Sequence, residues 1–258
     1  MTMPAIFLGH GSPMNAIEAN EFSPAWRKLG ESLPPVKAIL CISAHWYTRG
    51  SGVTAMTKPR TIHDFGGFPQ ELYEVQYPAL GDIDLAKRTK HLLASKAEVA
   101  LDQGWGLDHG TWSLLVHLFP NADIPVVQLS IDATLDHKDH LELGRMIAEL
   151  RQEGYLVLGS GNVVHNLRAS FQSQDATDGF DWAKRFDLEV KKRIENRDFS
   201  NLAEYEEISD EARLAVPTPE HYLPLLYILG TAEPQDELSY VVEGYQWGGI
   251  SMLGVQVG

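Results

Sequence analysis

Ala38-Ile-Leu-Cys-Ile-Ser43 carries no polar side chain until its last position. A strand with one face in water alternates apolar and polar residues. One without alternation belongs in a sheet covered on both faces, as the parallel sheets of α/β proteins are. Ala5–Leu8, Ile124–Ser130 and Tyr155–Leu158 are further apolar runs of strand length. Helical patterning fills the gaps between them. Ser23-Pro24 offers an N-cap and an N1 proline, and Pro34-Pro35 a stop. Further helices are expected over Asp84–Ala94, from about Asp136 to Arg151, over Asp181–Glu195, and from an N-cap at Thr218 to Gly230. Leu238–Glu243 and Ile250–Val257 read as terminal strands. Strands alternating with helices imply an α/β fold: a single domain over residues 1–258, with a central mixed, largely parallel sheet flanked by helices. No repeat or Pro/Gly/Ser-rich linker divides it, and Ser170–Gly179 reads as a mobile surface loop.

Charge excludes several partners. The chain has 21 Lys and Arg against 35 Asp and Glu, a formal charge of −14. Such a surface repels nucleic-acid phosphates and anionic membranes. No run approaches the roughly 20 apolar residues that span a bilayer. Cys41 is the only cysteine, so no intramolecular disulfide or CxxC motif exists, and a reduced cytoplasmic setting fits. A chain of 258 residues folds without a structural metal, so a bound metal would serve chemistry. A monomer or small homo-oligomer is expected.

The placement of the histidines carries the functional information. His10 follows the first strand in Leu8-Gly-His-Gly-Ser12, His45 the second in Ser43-Ala-His-Trp46, and His165 the fourth in Gly159-Ser-Gly-Asn-Val-Val-His165. In open α/β sheets, ligands bind beyond the carboxyl ends of the strands. His221 falls at N3 of the helix expected from Thr218, where the dipole disfavours a charged imidazole and leaves the neutral, metal-binding form. His109 precedes a helix next to Asp108, and His63 sits in an aromatic, glycine-rich loop suited to lining a pocket. His91 reads as solvated and His117 as packed among leucines. His137 and His140 have the spacing of a zinc pair, but their charged neighbours read as a solvated helix start. Spacing alone leaves open whether His10, His45, His165 and His221 share one site. The Gly-Ser-Gly-Asn segment lacks the rest of a phosphate-binding motif.

Six motifs taken together in order are more specific. These are Leu8-Gly-His-Gly-Ser-Pro13, Ser43-Ala-His-Trp46, Asp64-Phe-Gly-Gly-Phe-Pro69, Leu107-Asp-His-Gly110, Gly161-Asn-Val-Val-His-Asn-Leu-Arg168 and Thr218-Pro-Glu-His-Tyr-Leu-Pro-Leu-Leu226. With them the chain resembles, from Met3 to its C-terminus, the class III extradiol ring-cleavage dioxygenases, and among these the bacterial DOPA 4,5-extradiol branch. The resemblance implies one divalent metal held by His10, His45 and His221, with His165 within reach of it. It also implies His165 as the acid–base residue and His109 as a second catalytic histidine. The substrates would be a catechol and O2. Iron(II) is expected for activity and zinc(II) in the protein as isolated. The protocatechuate branch uses two histidines and a glutamate; here the third position is His221, with Glu220 beside it. A zinc hydrolase, or a non-catalytic metal- or peptide-binding protein of the same fold, would use the same ligands. Arg168, three residues past His165, is placed either to meet a substrate carboxylate or to pair with a nearby acid.

Overall fold

A computed structural model describes residues 2–258. Its strands are β1 (Ala5–Gly9), β2 (Ala38–Thr48), β3 (Ser51–Thr54), β4 (Val99–Asp102), β5 (Val126–Asp132), β6 (Tyr155–Gly161), β7 (Leu238–Val242), β8 (Tyr245–Gln246), β9 (Ile250–Ser251) and β10 (Gly254–Val257). Eight of them form one mixed sheet in the order β4-β3-β5-β2-β6-β1-β10-β7, and β8 and β9 pair separately. The central block β5-β2-β6-β1 is wholly parallel, as the unalternating apolar runs require. Antiparallel pairing enters at β3–β5 and at β1–β10–β7.

Successive residues of the central strands feed two cores. Phe7, Leu40, Ile42 and Val157 face one side, with the helices His137–Ile147, Asp181–Glu195 and Leu223–Gly230 packed over them. Ile6, Leu8, Ile39, Cys41 and Leu158 face the other, under Ser23–Ser32 and His109–Leu118. Each such side chain, fully buried, contributes roughly 1.5–3 kcal/mol. Together they make the central strands a rigid platform whose carboxyl ends lie on one edge.

Several local expectations need correction. β3 and β4 have four residues each and carry no pattern that marks them as strands. The terminal run Ile250–Val257 splits into β9 and β10. The helix expected over Asp136–Arg151 is two pieces, His137–Ile147 and Glu149–Gln152. Ser23 is the first helical residue rather than the cap, and Asn20 Oδ1 accepts its N–H at 2.7 Å. Thr218 is not an N-cap, because the helix begins at Leu223. Pro224 explains the late start: it has no N–H to give the residue four back, so it is tolerated only in a first turn. His221 therefore stands in the turn ahead of the helix, not at N3. Phe171–Gly179 holds no helix or strand.

Candidate metal centre

His10 directly follows β1, and its N–H donates to Gly161 O at the end of β6 at 3.0 Å. His45 lies inside β2 rather than after it. It falls where the β2–β5 register slips between Ile42 and Tyr47, an irregularity that re-aims side chains. His221 is drawn in by its own carbonyl, which accepts the Asn162 N–H at 2.8 Å. This contact requires Gly161, since a Cβ there would stand 2.1 Å from His221 O.

The three rings form a nearly equilateral triangle. Centroids are 5.0 Å apart for His10–His45, 5.3 Å for His10–His221 and 5.1 Å for His45–His221. One nitrogen from each lies within 4.8 Å of the other two. Each Nδ1 faces a protein oxygen. Ser160 Oγ donates to Gly110 O at 2.5 Å, which leaves it to accept from His10 Nδ1–H at 3.0 Å. His45 Nδ1 is 3.2 Å from Asp64 Oδ2, and His221 Nδ1 is 3.4 Å from Glu220 Oε1. The Nε2 atoms are turned towards one another. Those of His10 and His45 are 3.1 Å apart, and that of His221 is buried without a partner. A cation among them would satisfy all three. A proton is disfavoured, because burial foremost and the neighbouring histidines next hold His10 and His221 far below the ordinary imidazole range. Three imidazoles in this arrangement fit a divalent metal.

Two more histidines complete the wall. His165 is half-buried and lies outside this group of three nitrogens, stacked on His221 with centroids 3.5 Å apart. Its pKa is pushed down to about 4, first by burial and then by His45, so its ring is neutral. His109 opens its helix behind the N-cap Asp108, and its ring is 3.8 Å from that of His45. Asp64 ties these two together: its Oδ1 accepts the His109 N–H at 2.8 Å, while Oδ2 sits at His45 Nδ1. His109 Nδ1 is 3.0 Å from the same Oδ1 but off the line a hydrogen bond needs, so that contact is electrostatic. These contacts outweigh burial and hold the Asp64 carboxyl well below the usual range. Nothing local in the sequence marks Asp64 as a support, because its partners lie far along the chain.

The remaining histidines stand elsewhere. His63 meets Val75 O at 3.0 Å and does not line the cavity, although Phe65 and Phe68 of its loop do. His91 is exposed and His117 is buried against Asn15 O. His137 stacks on Tyr205. His140, expected in solvent, is fully buried on Tyr227 Oη at 3.0 Å. The spacing His140, Leu143, Gly144, Ile147 puts it on the apolar face of its helix.

His10, His45, His109, His165 and His221 open into one cavity of about 190 Å³. Its other walls include Phe65, Phe68, Phe171 and Trp247, a mostly apolar setting for an aromatic ring. A larger cavity by Asp136, His137 and Glu204 lies away from this cluster.

Residues 4–256 match the model of the catalytic LigB subunit of aromatic ring-opening dioxygenase. The chain is 49% identical to a 4,5-DOPA dioxygenase extradiol of Escherichia coli K12, over 99% of this chain and 95% of that one. It is 38% identical to the enzyme of that name from Beta vulgaris, over 96% and 93%. The crystal structure of an uncharacterized Escherichia coli K12 protein superimposes with a TM-score of 0.86 at 44% identity, covering 99% of this chain and all of that one. Dioxygenases of this family use a metal, and the three-histidine triangle is where this chain could hold it. The chain belongs to the LigB family of aromatic ring-opening dioxygenases and is an extradiol ring-cleaving enzyme.

Proposed function

We propose that the substrate is a catechol carrying a side chain, such as DOPA, cleaved with O2 to a semialdehyde at a ferrous ion held by His10, His45 and His221. The observation that supports this most is the convergence of three imidazole nitrogens, with an oxygen near the Nδ1 of each ring. Bound there, iron(II) supplies the Lewis acidity and redox chemistry that join O2 to an electron-rich ring.

The residues around it do the rest. His165, neutral and open to the cavity, accepts a catechol hydroxyl proton at its ring nitrogen and later returns it. His109, fixed by Asp64 and Asp108, donates a hydrogen bond to substrate oxygen. Phe65, Phe68, Phe171 and Trp247 hold the aromatic ring and keep bulk water away. The ring bond beside a hydroxyl-bearing carbon breaks, and both atoms of O2 enter the product.

Zinc is the metal expected in protein prepared without added iron, because it binds imidazole sites more tightly. His165, stacked on His221, would be the further histidine offered to zinc. No helix among the described residues is long and apolar enough to cross a membrane. We place the enzyme in the cytoplasm, where the buried thiol of Cys41 stays reduced. The test is anaerobic reconstitution with Fe²⁺, followed by oxygen uptake over a panel of catechols. Equimolar consumption of O2 and catechol with semialdehyde formation is expected. A fully iron-loaded protein that consumes no O2 with any catechol would overturn the reading.

A further inference from the structure

Arg168 and Arg213 line the same cavity, about 450 Å³ in volume, and His165 and Leu167 are walls both of it and of the histidine cavity. The two spaces therefore adjoin at the proposed base. The segments that carry the arginines are fastened to each other. Asn166 Nδ2 donates to Leu214 O at 2.8 Å, and the His165 N–H donates to Ala215 O at 2.8 Å. Asn166 Oδ1 also accepts the Ala169 N–H at 2.9 Å, which caps the short helix bearing Arg168.

Neither arginine has an acidic partner, which is also true of Arg27, Arg49, Arg60 and Arg197, but among the described residues these two alone share this cavity wall. Arg88, Arg145, Arg151, Arg185 and Arg193 each meet a carboxylate at 2.5–2.9 Å. Among the described residues, no carboxylate lies within 4.0 Å of either Arg168 or Arg213. The chain has 35 acids to 21 bases, so acids are in ample supply. The one acid on this cavity wall is Glu220, whose Oε1 accepts from Thr218 Oγ1 at 2.7 Å and sits at His221 Nδ1. Two exposed guanidiniums on the wall of a cavity that adjoins an aromatic pocket offer planar donors to a carboxylate.

We propose that Arg168 and Arg213 bind the carboxylate on the side chain of the catechol while its ring lies against His109 and His165. They are specificity-determining residues that admit an anionic substrate to a protein of charge −14. The proposal rests on the catechol reading above and adds the chemical class of the substituent. Charge-assisted pairs in partly open sites are each worth about a factor of ten in discrimination.

The test compares 3,4-dihydroxyphenylpropionate, which bears the carboxylate, with 4-methylcatechol, which does not. The ratio of their kcat/KM values is measured for the iron-loaded wild type, Arg168→Ala and Arg213→Ala. The corresponding Kd ratio is measured anaerobically by calorimetry, where turnover is not needed. The wild type should favour the carboxylate, and each variant should lower both ratios about tenfold. Arg168→Glu should shift preference towards dopamine, whose side chain is cationic. Ratios unchanged in both alanine variants would overturn the proposal. A wild type that binds these catechols but cleaves none would overturn the proposed function, and the Kd ratio would still decide the subsite.

Discussion

His165 lies flat on His221, with ring centroids 3.5 Å apart and planes 8° from parallel. The two stacked rings have different surroundings. His221 points a buried Nε2 at the triangle and keeps its Nδ1 beside Glu220. His165 covers the outer face of that ring and borders both the histidine cavity and the arginine-lined one. Under the proposed function, His221 would bind the metal and His165 would meet the substrate.

Asp64 links His45 and His109, so its charge should matter to the metal more than to the fold. Asp64→Asn keeps an oxygen that can accept the His109 N–H but removes the negative charge beside His45 Nδ1. Loss of such a supporting carboxylate typically costs roughly 10–100-fold in metal affinity. Competition with a chelator of known affinity measures this. Unchanged affinity would show that Asp64 does not orient His45.

Gly110 is required by contact, since a Cβ there would stand 2.7 Å from Ser43 Oγ and 2.8 Å from His45 Cδ2. Gly110→Ala should push His45 away from the triangle and destabilise the protein by about 1–3 kcal/mol. Metal content and urea unfolding of the variant check both effects. Full metal loading at wild-type stability would mean the site yields more than the geometry implies.

His140 is buried, and burial lowers its pKa to about 4 from the usual 6.5. As pH falls below 6.5, the unfolded chain takes the proton first. The stability present above that pH is therefore lost progressively down to about pH 4, and the loss amounts to roughly 3 kcal/mol. His140→Leu gives up the bond to Tyr227 Oη, about 1 kcal/mol at pH 7, but removes this acid-side slope. Urea unfolding of the metal-free proteins at pH 7 and pH 4.5 should show the gap between them narrowing or reversing. Parallel pH–stability curves would contradict the assignment.

The convergence of the histidines was more legible in the sequence than some of its supports. His10 and His165 announced themselves because apolar strands end just before them and ligands collect at such ends. His45 belonged to the same pattern, although its strand continues beyond it. Asp64 was invisible as a support because its bonds to His45 and His109 exist only after the loop folds back. The start of the last long helix was misplaced because Thr218-Pro219 is a good local signal that Pro224 overrides. His140 was misjudged from its charged neighbours, when its spacing to Leu143 and Ile147 gave the buried face. The sequence around Arg168 suits either of two uses, and only the fold shows that no carboxylate lies within 4.0 Å of it.

The most direct test of the division of labour is to reconstitute His165→Ala and His221→Ala side by side. Bound iron and catechol-dependent oxygen uptake are then measured together. His221→Ala should lose most of its iron, and its activity with it. His165→Ala should keep its iron, with turnover roughly 10²–10⁴-fold lower, the usual worth of a positioned acid–base group. If His165→Ala loses iron as completely as His221→Ala, His165 is chiefly a ligand and the base must be His109.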